Sequence, residues 1–299
     1  MTSRAVAAVT AAALAAVVTV SACAPAVGGH AVTGESLRPS SELKSGASPA
    51  TPAAVQQQWQ DVTGQGTVLP RDSVDGAAYS PKPVPGSAIW HTPDTGSTLS
   101  VCTAGPTAIT EAGAPAVVIA GHCANGPRAS TQYTLTAVDG DPVVLGTGVD
   151  AVDDDAGIDS ALLATPAAAG VPASIAGTWP IAGVLTVEGV EALPAGTPIC
   201  YTGAMTGGTR CGGLIATNSR GIEFDAAAVD GDSGSPVFVV NAAGDALLVG
   251  IVEWTDDVYT SATVLDGALT RLRSRAVVDP AAAARTADHP RLSPRTVTR

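Results

Sequence analysis

Short apolar runs, bounded by turn-forming residues, are distributed over residues 87–278. They lie at residues 116–120, 143–145, 160–163, 184–187, 237–240 and 247–252. Runs of this length between turn formers are typical of buried β-strands. The last two flank residues 241–245, a link rich in turn formers, and therefore predict a hairpin. This alternation predicts an all-β domain.

One stretch near the end of that region has helical spacing instead, behind Ser261 or Thr263 as the capping residue. Its apolar residues recur three or four positions apart: Val264, Leu265, Ala268, Leu269 and Leu272. We therefore expect one C-terminal helix. Residues 279–299 mix arginine with alanine, proline and threonine, which predicts a solvated, mobile tail.

The first 22 residues are typical of an export signal. Arg4 precedes an uncharged, alanine-rich and valine-rich stretch at residues 5–20, too short and too rich in alanine for a membrane span. Residues 20–23 read Val-Ser-Ala-Cys and resemble a bacterial lipobox, in which the cysteine is acylated. We therefore expect a lipid anchor at Cys23 on the outer face of the cell membrane, with partial secretion and an unlipidated signal peptide as alternatives.

Residues 23–86 combine proline, serine, alanine, glutamine and glycine with little apolar periodicity. Such a segment buries too little surface to offset the entropy of ordering it. It therefore predicts a tether between the lipid and the domain, or a short pro-segment. Only Trp59 suggests local packing.

Composition narrows the classes of function. The 299 residues are 45% hydrophobic, which is enough for a core, and they include 33 glycines and 22 prolines, which favour turns. The formal net charge of −12 argues against a nucleic-acid partner, because phosphate binding requires a basic surface. The acidic residues 150–155 are typical of a solvated loop rather than a calcium site. We expect neither a metal nor a cofactor.

The cysteines divide into one near the signal and four in the domain. Cys102, Cys123, Cys200 and Cys211 allow three pairings, of which Cys102 with Cys123 and Cys200 with Cys211 close the shortest loops. Export supplies an oxidising compartment. Neither pair has the ligand spacing of a zinc site.

Two short strings carry candidate chemistry. Ala-Gly-His-Cys at residues 120–123 follows an apolar run, and Gly-Asp-Ser-Gly-Ser-Pro at residues 231–236 precedes one. A serine hydroxyl becomes a nucleophile when a histidine takes its proton and a buried carboxylate orients that histidine. Of the aspartates available, Asp159 directly precedes an apolar run, whereas most of the others lie in polar loops. We therefore choose Asp159.

These strings, in the order His122, Asp159, Ser233, resemble the chymotrypsin family of serine proteases and its bacterial streptogrisin-like branch. The resemblance covers residues 87–278. It implies two antiparallel six-stranded β-barrels and a C-terminal helix. It also implies a catalytic triad of the three named residues and an oxyanion hole formed by the Gly231 and Ser233 amides. The function implied is that of a monomeric endopeptidase acting on polypeptides.

The resemblance also implies the two shortest-loop disulfides and an inward-pointing Asp232. Bacterial relatives often pair that aspartate with an internal arginine, and Arg128, Arg210 or Arg220 could take this role here. An α/β-hydrolase is disfavoured, because residue 235 is serine and only His289 follows the nucleophile.

The substrate pocket departs from the family pattern. Ala227, followed by Ala228, occupies the pocket floor, so we expect a preference for neutral, apolar side chains. Glu253, before Trp254, stands where relatives usually have serine, and Thr255 where they have glycine. Glu253 should crowd Asp159 and raise the pKa of one of the two carboxyls, while Thr255 should narrow the pocket. A peptide-binding module that has lost turnover is therefore the alternative function.

Overall fold

The computed structural model describes residues 58–71, 76–91, 100–124, 133–137, 140–154, 157–256 and 258–299. These residues belong to one unit, residues 54–299. The predicted signal and the proposed lipidation site Cys23 lie outside the described residues. Among the residues described, no helix has the length and apolar character needed to cross a membrane.

Among the described residues, the first half of the domain contains eight strands. They are β1 Ala88–His91, β2 Ser100–Thr103, β3 Thr107–Thr110, β4 Pro115–Ile119, β5 Tyr133–Ala137, β6 Gly140–Val144, β7 Gly148–Asp154 and β8 Ile158–Ala164. One sheet has the order β2-β1-β5-β6, and a second contains β3-β4-β8-β7. Both contribute to one apolar core that includes Ile89, Val117, Leu135 and Leu163.

The described part of the second half contains ten strands and three α-helices. The strands are β9 Ser174–Ile175, β10 Trp179–Val184, β11 Pro198–Gly203, β12 Gly208–Thr217, β13 Gly221–Phe224, β14 Pro236–Val240, β15 Ala246–Thr255, β16 Thr260–Val264, β17 Ser274–Val278 and β18 Thr296–Thr298. The helices are α1 Val187–Glu191, α2 Leu265–Arg271 and α3 Pro280–Thr286. Strands β14-β11-β12-β13-β16-β15 form a closed six-stranded ring, because β15 also pairs with β14.

The predicted hairpin is present as β14 and β15, which pair antiparallel. Every residue of β14 is buried, as expected for a β-branched and aromatic run between neighbouring strands. The link turns tightly because the Asn241 side chain accepts hydrogen bonds from the Ala243 and Asp245 amides. The hairpin prediction is therefore confirmed.

The predicted helix is also present, as α2, with Leu265, Ala268 and Leu269 buried. The predicted caps were wrong. Ser261 and Thr263 belong to β16, and Val264 precedes the helix without a capping side chain. Strand pairing outcompeted the local capping preference of these residues, since β16 pairs with both β13 and β15.

The prediction of a mobile tail over residues 279–299 was wrong. Asp279 caps α3 by accepting hydrogen bonds from the Ala281 and Ala282 amides, and Pro280 supplies the fixed first turn. Strand β18 pairs parallel with β17, which in turn pairs with β3 of the first half. Small alanine side chains let α3 lie close to the domain, where Ala282 is fully buried.

The predicted tether also extends too far, because the domain begins before residue 87. We call residues 58–71 the N-terminal strap. Its Gln60 forms a bridge with Val240 of β14, and its Val62 is buried in the core. Backbone hydrogen bonds, such as that from Gly64 to the Thr209 carbonyl, order this low-complexity sequence.

Both expected disulfides are present. Cys102 is bonded to Cys123 and Cys200 to Cys211. The first joins β2 to the turn that follows β4, and the second links directly opposite residues of β11 and β12. The cysteine arithmetic and the family resemblance therefore selected the correct one of three pairings.

Candidate active site

His122 and Asp159 meet because their strands are neighbours. His122 lies in a short 3-10 helix, Gly121–Cys123, directly after β4, and Asp159 lies in β8, which pairs antiparallel with β4. The His122 Nδ1 atom is 2.7 Å from Asp159 Oδ2, and the His122 amide donates a 2.8 Å hydrogen bond to Oδ1. Both carboxylate oxygens therefore bind the same residue, which fixes the imidazole relative to the acid.

The aspartate is enclosed, whereas the histidine reaches the surface. The Asp159 side chain is 0% exposed and that of His122 is 16% exposed. The enclosed carboxylate therefore orients an imidazole that remains accessible from the cleft, as a general base requires.

A second carboxyl group, that of Glu253, lies close to this pair. Thr263 of β16 accepts a hydrogen bond from the Asp159 amide and donates one of 3.4 Å to Glu253 Oε2. Burial, and then the charge of Asp159, raise the pKa of Glu253 to about 7. Both effects act on Glu253 in the same direction, and its carboxyl lies beside Asp159 as the sequence predicts.

Ser233 lies in the loop between β13 and β14 and lines a cavity of about 310 Å³ together with His122 and Asp159. Among the hydrogen bonds of the described residues, none joins His122 to Ser233. In enzymes without substrate, catalytic hydrogen bonds are often long and tighten on binding. The three predicted residues therefore line one cleft, and His122 and Ser233 are not hydrogen-bonded to each other there.

The Gly231 and Ser233 amides donate to no acceptor among the backbone hydrogen bonds of the described residues. The neighbouring carbonyls are occupied, since Thr103 donates from its hydroxyl to the Gly231 carbonyl and from its amide to the Ser233 carbonyl. Gly231 has φ of +92°, and a Cβ there would lie 2.6 Å from Met205 Cγ. Only glycine fits this conformation and this space without strain.

Asp232 is fully buried and points away from the cleft. Its carboxylate accepts hydrogen bonds from the Met205, Thr206 and Val229 amides and from the Thr206 hydroxyl. The expected ion pair with an arginine is not found among the described residues. The pairings with Arg210 and Arg220 were therefore wrong, because neutral donors from a nearby turn fill the acceptor positions, and Arg128 lies outside the described residues.

The substrate cavity differs in part from its prediction. Ala228, Glu253, Trp254 and Thr255 line it, whereas Ala227 does not and instead accepts a hydrogen bond from the buried Tyr201 hydroxyl through its carbonyl. The Ala228 amide donates to Thr255 Oγ1 at 3.1 Å, which fixes the threonine against the wall. Trp254 is 45% exposed at the rim.

The charges around the cavity are acidic. Asp153, Asp230 and Glu253 all line it, next to Asp159. Such a lining disfavours acidic substrate side chains through like-charge repulsion. Among the described residues, Cys102, His122 and Cys123 form one cluster close enough for a metal, but the two sulfurs are bonded to each other and supply no thiolate ligand.

Sequence reasoning missed three threonines that organise the site: Thr103, Thr206 and Thr263. Each acts through a hydroxyl placed by a fold-level contact, and none belongs to a recognisable motif. No local signal in the sequence identifies them.

No protein-family model and no curated protein matches the sequence. Solved structures do match. A Nocardiopsis protease is 20% identical over 65% of this chain and 98% of that chain, with a TM-score of 0.50. Protease A of Thermobifida fusca is 20% identical over 66% and 98%, with a TM-score of 0.48, and a chymotrypsin of Cellulomonas bogoriensis is 21% identical over 66% and 100%, with a TM-score of 0.46.

At these identities the likeness concerns the fold. The closed ring and the strand-rich architecture agree with the Nocardiopsis structure. The predicted fold class is confirmed: the chain has the all-β, chymotrypsin-like fold with a helix near its C-terminus.

Proposed function

We propose that this chain is an exported serine endopeptidase with His122, Asp159 and Ser233 as its catalytic triad. The observation that carries the proposal is the 2.7 Å contact between His122 Nδ1 and the buried Asp159, facing a cavity shared with Ser233. The unbonded Gly231 and Ser233 amides beside it support an oxyanion hole. The shared fold with bacterial serine proteases supports the same reaction class.

The proposed reaction is acyl transfer. His122 Nε2 removes the proton of Ser233 Oγ as that oxygen attacks a peptide carbonyl, and Asp159 holds the imidazole in the required tautomer. The Gly231 and Ser233 amides donate to the oxyanion that forms. His122 then protonates the leaving amine, and a water molecule, activated by His122, releases the acyl group from Ser233.

Labelling with a fluorophosphonate probe tests the proposal. We expect the wild type to be labelled at Ser233 and Ser233→Ala not to be labelled. Ser219→Ala, an exposed serine in a turn, is the matched control and should be labelled like the wild type. Equal labelling of the wild type and Ser233→Ala would exclude the proposed nucleophile.

The substrate is proposed to be a polypeptide with a neutral, small side chain at the cleaved bond. Thr255, fixed against the wall, narrows the cavity, and Ala228 adds no charge to the lining. Profiling with a peptide library tests this preference. Equal cleavage after large aromatic and small residues would contradict it.

A second candidate is a peptide-binding module that no longer turns over. The half-buried carboxyl of Glu253 beside Asp159 and the absence of a hydrogen bond between His122 and Ser233 favour it. If no member of a broad peptide library is cut while a subset binds to the wild type and to Ser233→Ala equally, this reading replaces the first.

We also propose export by residues 1–22 and lipidation of Cys23, with the protein monomeric on the outer face of the membrane. The two disulfides support an oxidising location. Mass spectrometry of the mature amino terminus tests the anchor. An unmodified Cys23, or cleavage at another site, would refute it.

A further inference from the structure

The turn at residues 203–207, which we call the relay turn, binds the loop that carries Ser233. Its Met205 and Thr206 amides donate to the Asp232 carboxylate at 2.9 and 3.0 Å. Its Ala204 amide donates to Thr103 Oγ1, the hydroxyl that holds the Gly231 carbonyl. The inner face of the turn therefore fixes both residues that precede the nucleophile.

The outer face of the same turn is held by residues that precede the first strand. The guanidinium of Arg71, at the end of the N-terminal strap, donates to the Thr206 carbonyl at 2.7 Å and to the Met205 carbonyl at 3.3 Å. The Ala78 amide donates to the Ala204 carbonyl at 2.7 Å. Three consecutive carbonyls of the turn thus accept hydrogen bonds from residues that precede β1.

Individual peptide groups connect the two faces. The peptide between Met205 and Thr206 accepts from Arg71 through its oxygen and donates to Asp232 through its nitrogen. Hydrogen bonds in such a chain polarise one another, so the Arg71 cation strengthens the hydrogen bond from the Thr206 amide to the Asp232 carboxylate without contacting that carboxylate. The glycine at position 207 leaves room for this contact, because a Cβ there would lie 1.6 Å from Arg71 Nη2.

We propose that Arg71 is a positioning residue for the oxyanion hole, acting through the relay turn and Asp232, so that the N-terminal strap is a built-in activator of the catalytic loop. This inference rests on the proposed function. It assigns a role to a segment that lies before β1 and does not line the cleft.

The test compares Arg71→Gln and Arg71→Lys with the wild type, all as the full chain. Arg275→Gln is the matched control, because Arg275 is exposed on β17 and its side chain forms no hydrogen bond or salt bridge among those of the described residues. We expect Arg71→Gln to lower kcat roughly 10-fold to 100-fold with KM within about 3-fold of the wild type, as for a weakened oxyanion hole. Lysine retains the charge but not the two-pronged geometry and should restore part of the rate.

Two further measurements separate positioning from a folding defect. Fluorophosphonate labelling of Arg71→Gln should be slower than that of the wild type but reach the same endpoint. Hydrogen exchange at the Met205, Thr206 and Val229 amides, which all bind Asp232, should accelerate roughly 10-fold in Arg71→Gln and not in Arg275→Gln.

Unchanged kcat together with unchanged hydrogen exchange in Arg71→Gln overturns the proposal. A loss of kcat that is matched by an equal loss of the labelling endpoint also overturns it. If the wild type neither cleaves nor is labelled, the proposed function fails, yet exchange at the three amides still shows whether Arg71 orders the loop.

Discussion

Two buried carboxylates, Asp159 and Asp232, organise the two halves of the cleft in different ways. Asp159 binds a single residue, His122, through both of its oxygens, and the two residues come from adjacent strands. Asp232 accepts four hydrogen bonds from neutral donors, and Arg71 donates to the carbonyl of one of the peptide groups that bind it. The acid–base half is thus built by one strand pairing, whereas the nucleophile half depends on several distant segments.

This difference predicts where the site is vulnerable. Changes to the first carboxylate should impair the chemistry and leave the fold largely intact. Changes to the second should disturb the fold of the loop as well as the chemistry, because several buried donors lose an acceptor together.

The largest effect should come from Asp159→Asn. The asparagine oxygen still accepts a hydrogen bond from the His122 backbone amide, but its NH₂ group faces Nδ1. Because this imposes the wrong tautomer on the imidazole, kcat should fall roughly 10³-fold to 10⁴-fold. Steady-state kinetics on a peptide ester measures this. Asp153→Asn, which alters a carboxylate at the rim of the same cavity, is the control and should stay within a few-fold of the wild type. If Asp159→Asn retains a tenth of the wild-type activity, Asp159 does not have the role in the chemistry that distinguishes it from Asp232.

Asp232→Asn should lower stability more than Asp159→Asn does. One oxygen becomes a donor facing other donors in a site that is fully buried, which costs roughly 2 to 4 kcal/mol. Tm should fall by about 5 to 10 °C in a scanning calorimeter. An equal change in Tm for both variants would mean that the two carboxylates do not differ as described.

A smaller effect is expected at Thr206, whose hydroxyl donates to Asp232 Oδ2. Thr206→Val removes that donor and should cost about 1 to 2 kcal/mol in urea unfolding. Thr206→Ser keeps the hydroxyl and should stay within about 0.5 kcal/mol of the wild type. If serine and valine destabilise equally, packing rather than the hydrogen bond accounts for the loss.

The smallest effect concerns Glu253, beside Asp159. Its folded pKa of about 7 lies above the ordinary value of 4.5, so the unfolded chain loses this proton first as pH rises. Wild-type stability relative to Glu253→Gln should therefore fall between about pH 4.5 and 7. Above pH 7 the stability of Glu253→Gln relative to the wild type should exceed its low-pH value by roughly 1 kcal/mol, after allowance for partial exposure.

Urea unfolding across this pH range measures the difference. Glu223→Gln, which removes a carboxylate from β13, is the control for the loss of a glutamate charge as such. If the difference in free energy of unfolding between Glu253→Gln and the wild type does not depend on pH, Glu253 is not in the half-buried environment beside Asp159 that we describe.

The acid–base half was largely predictable from sequence because its signals are local. Apolar runs identified the strands, and one short string placed His122 at the end of a strand. Asp159 was chosen because it directly precedes an apolar run, and the structure buries it beside the histidine. The predicted disulfides and helix α2 also follow from spacing within a short stretch of chain.

The nucleophile half was less predictable because its contacts join segments far apart in the chain. Arg71 and Met205 are separated by 134 residues, and no motif marks either one. The N-terminal strap and residues 279–299 lack apolar periodicity, so composition suggested mobility. Their order comes from backbone hydrogen bonds and close packing of small side chains, which residue type alone does not reveal.

The close approach of Arg71 to residue 207 has an evolutionary consequence. A lineage that acquires any side chain at position 207 must displace the guanidinium, because even a methyl group would collide with it. A lineage that loses the arginine is released from that restriction, apart from the left-handed backbone at 207. Among homologues, arginine at 71 should therefore occur together with glycine at 207, whereas glycine at 207 can persist without the arginine.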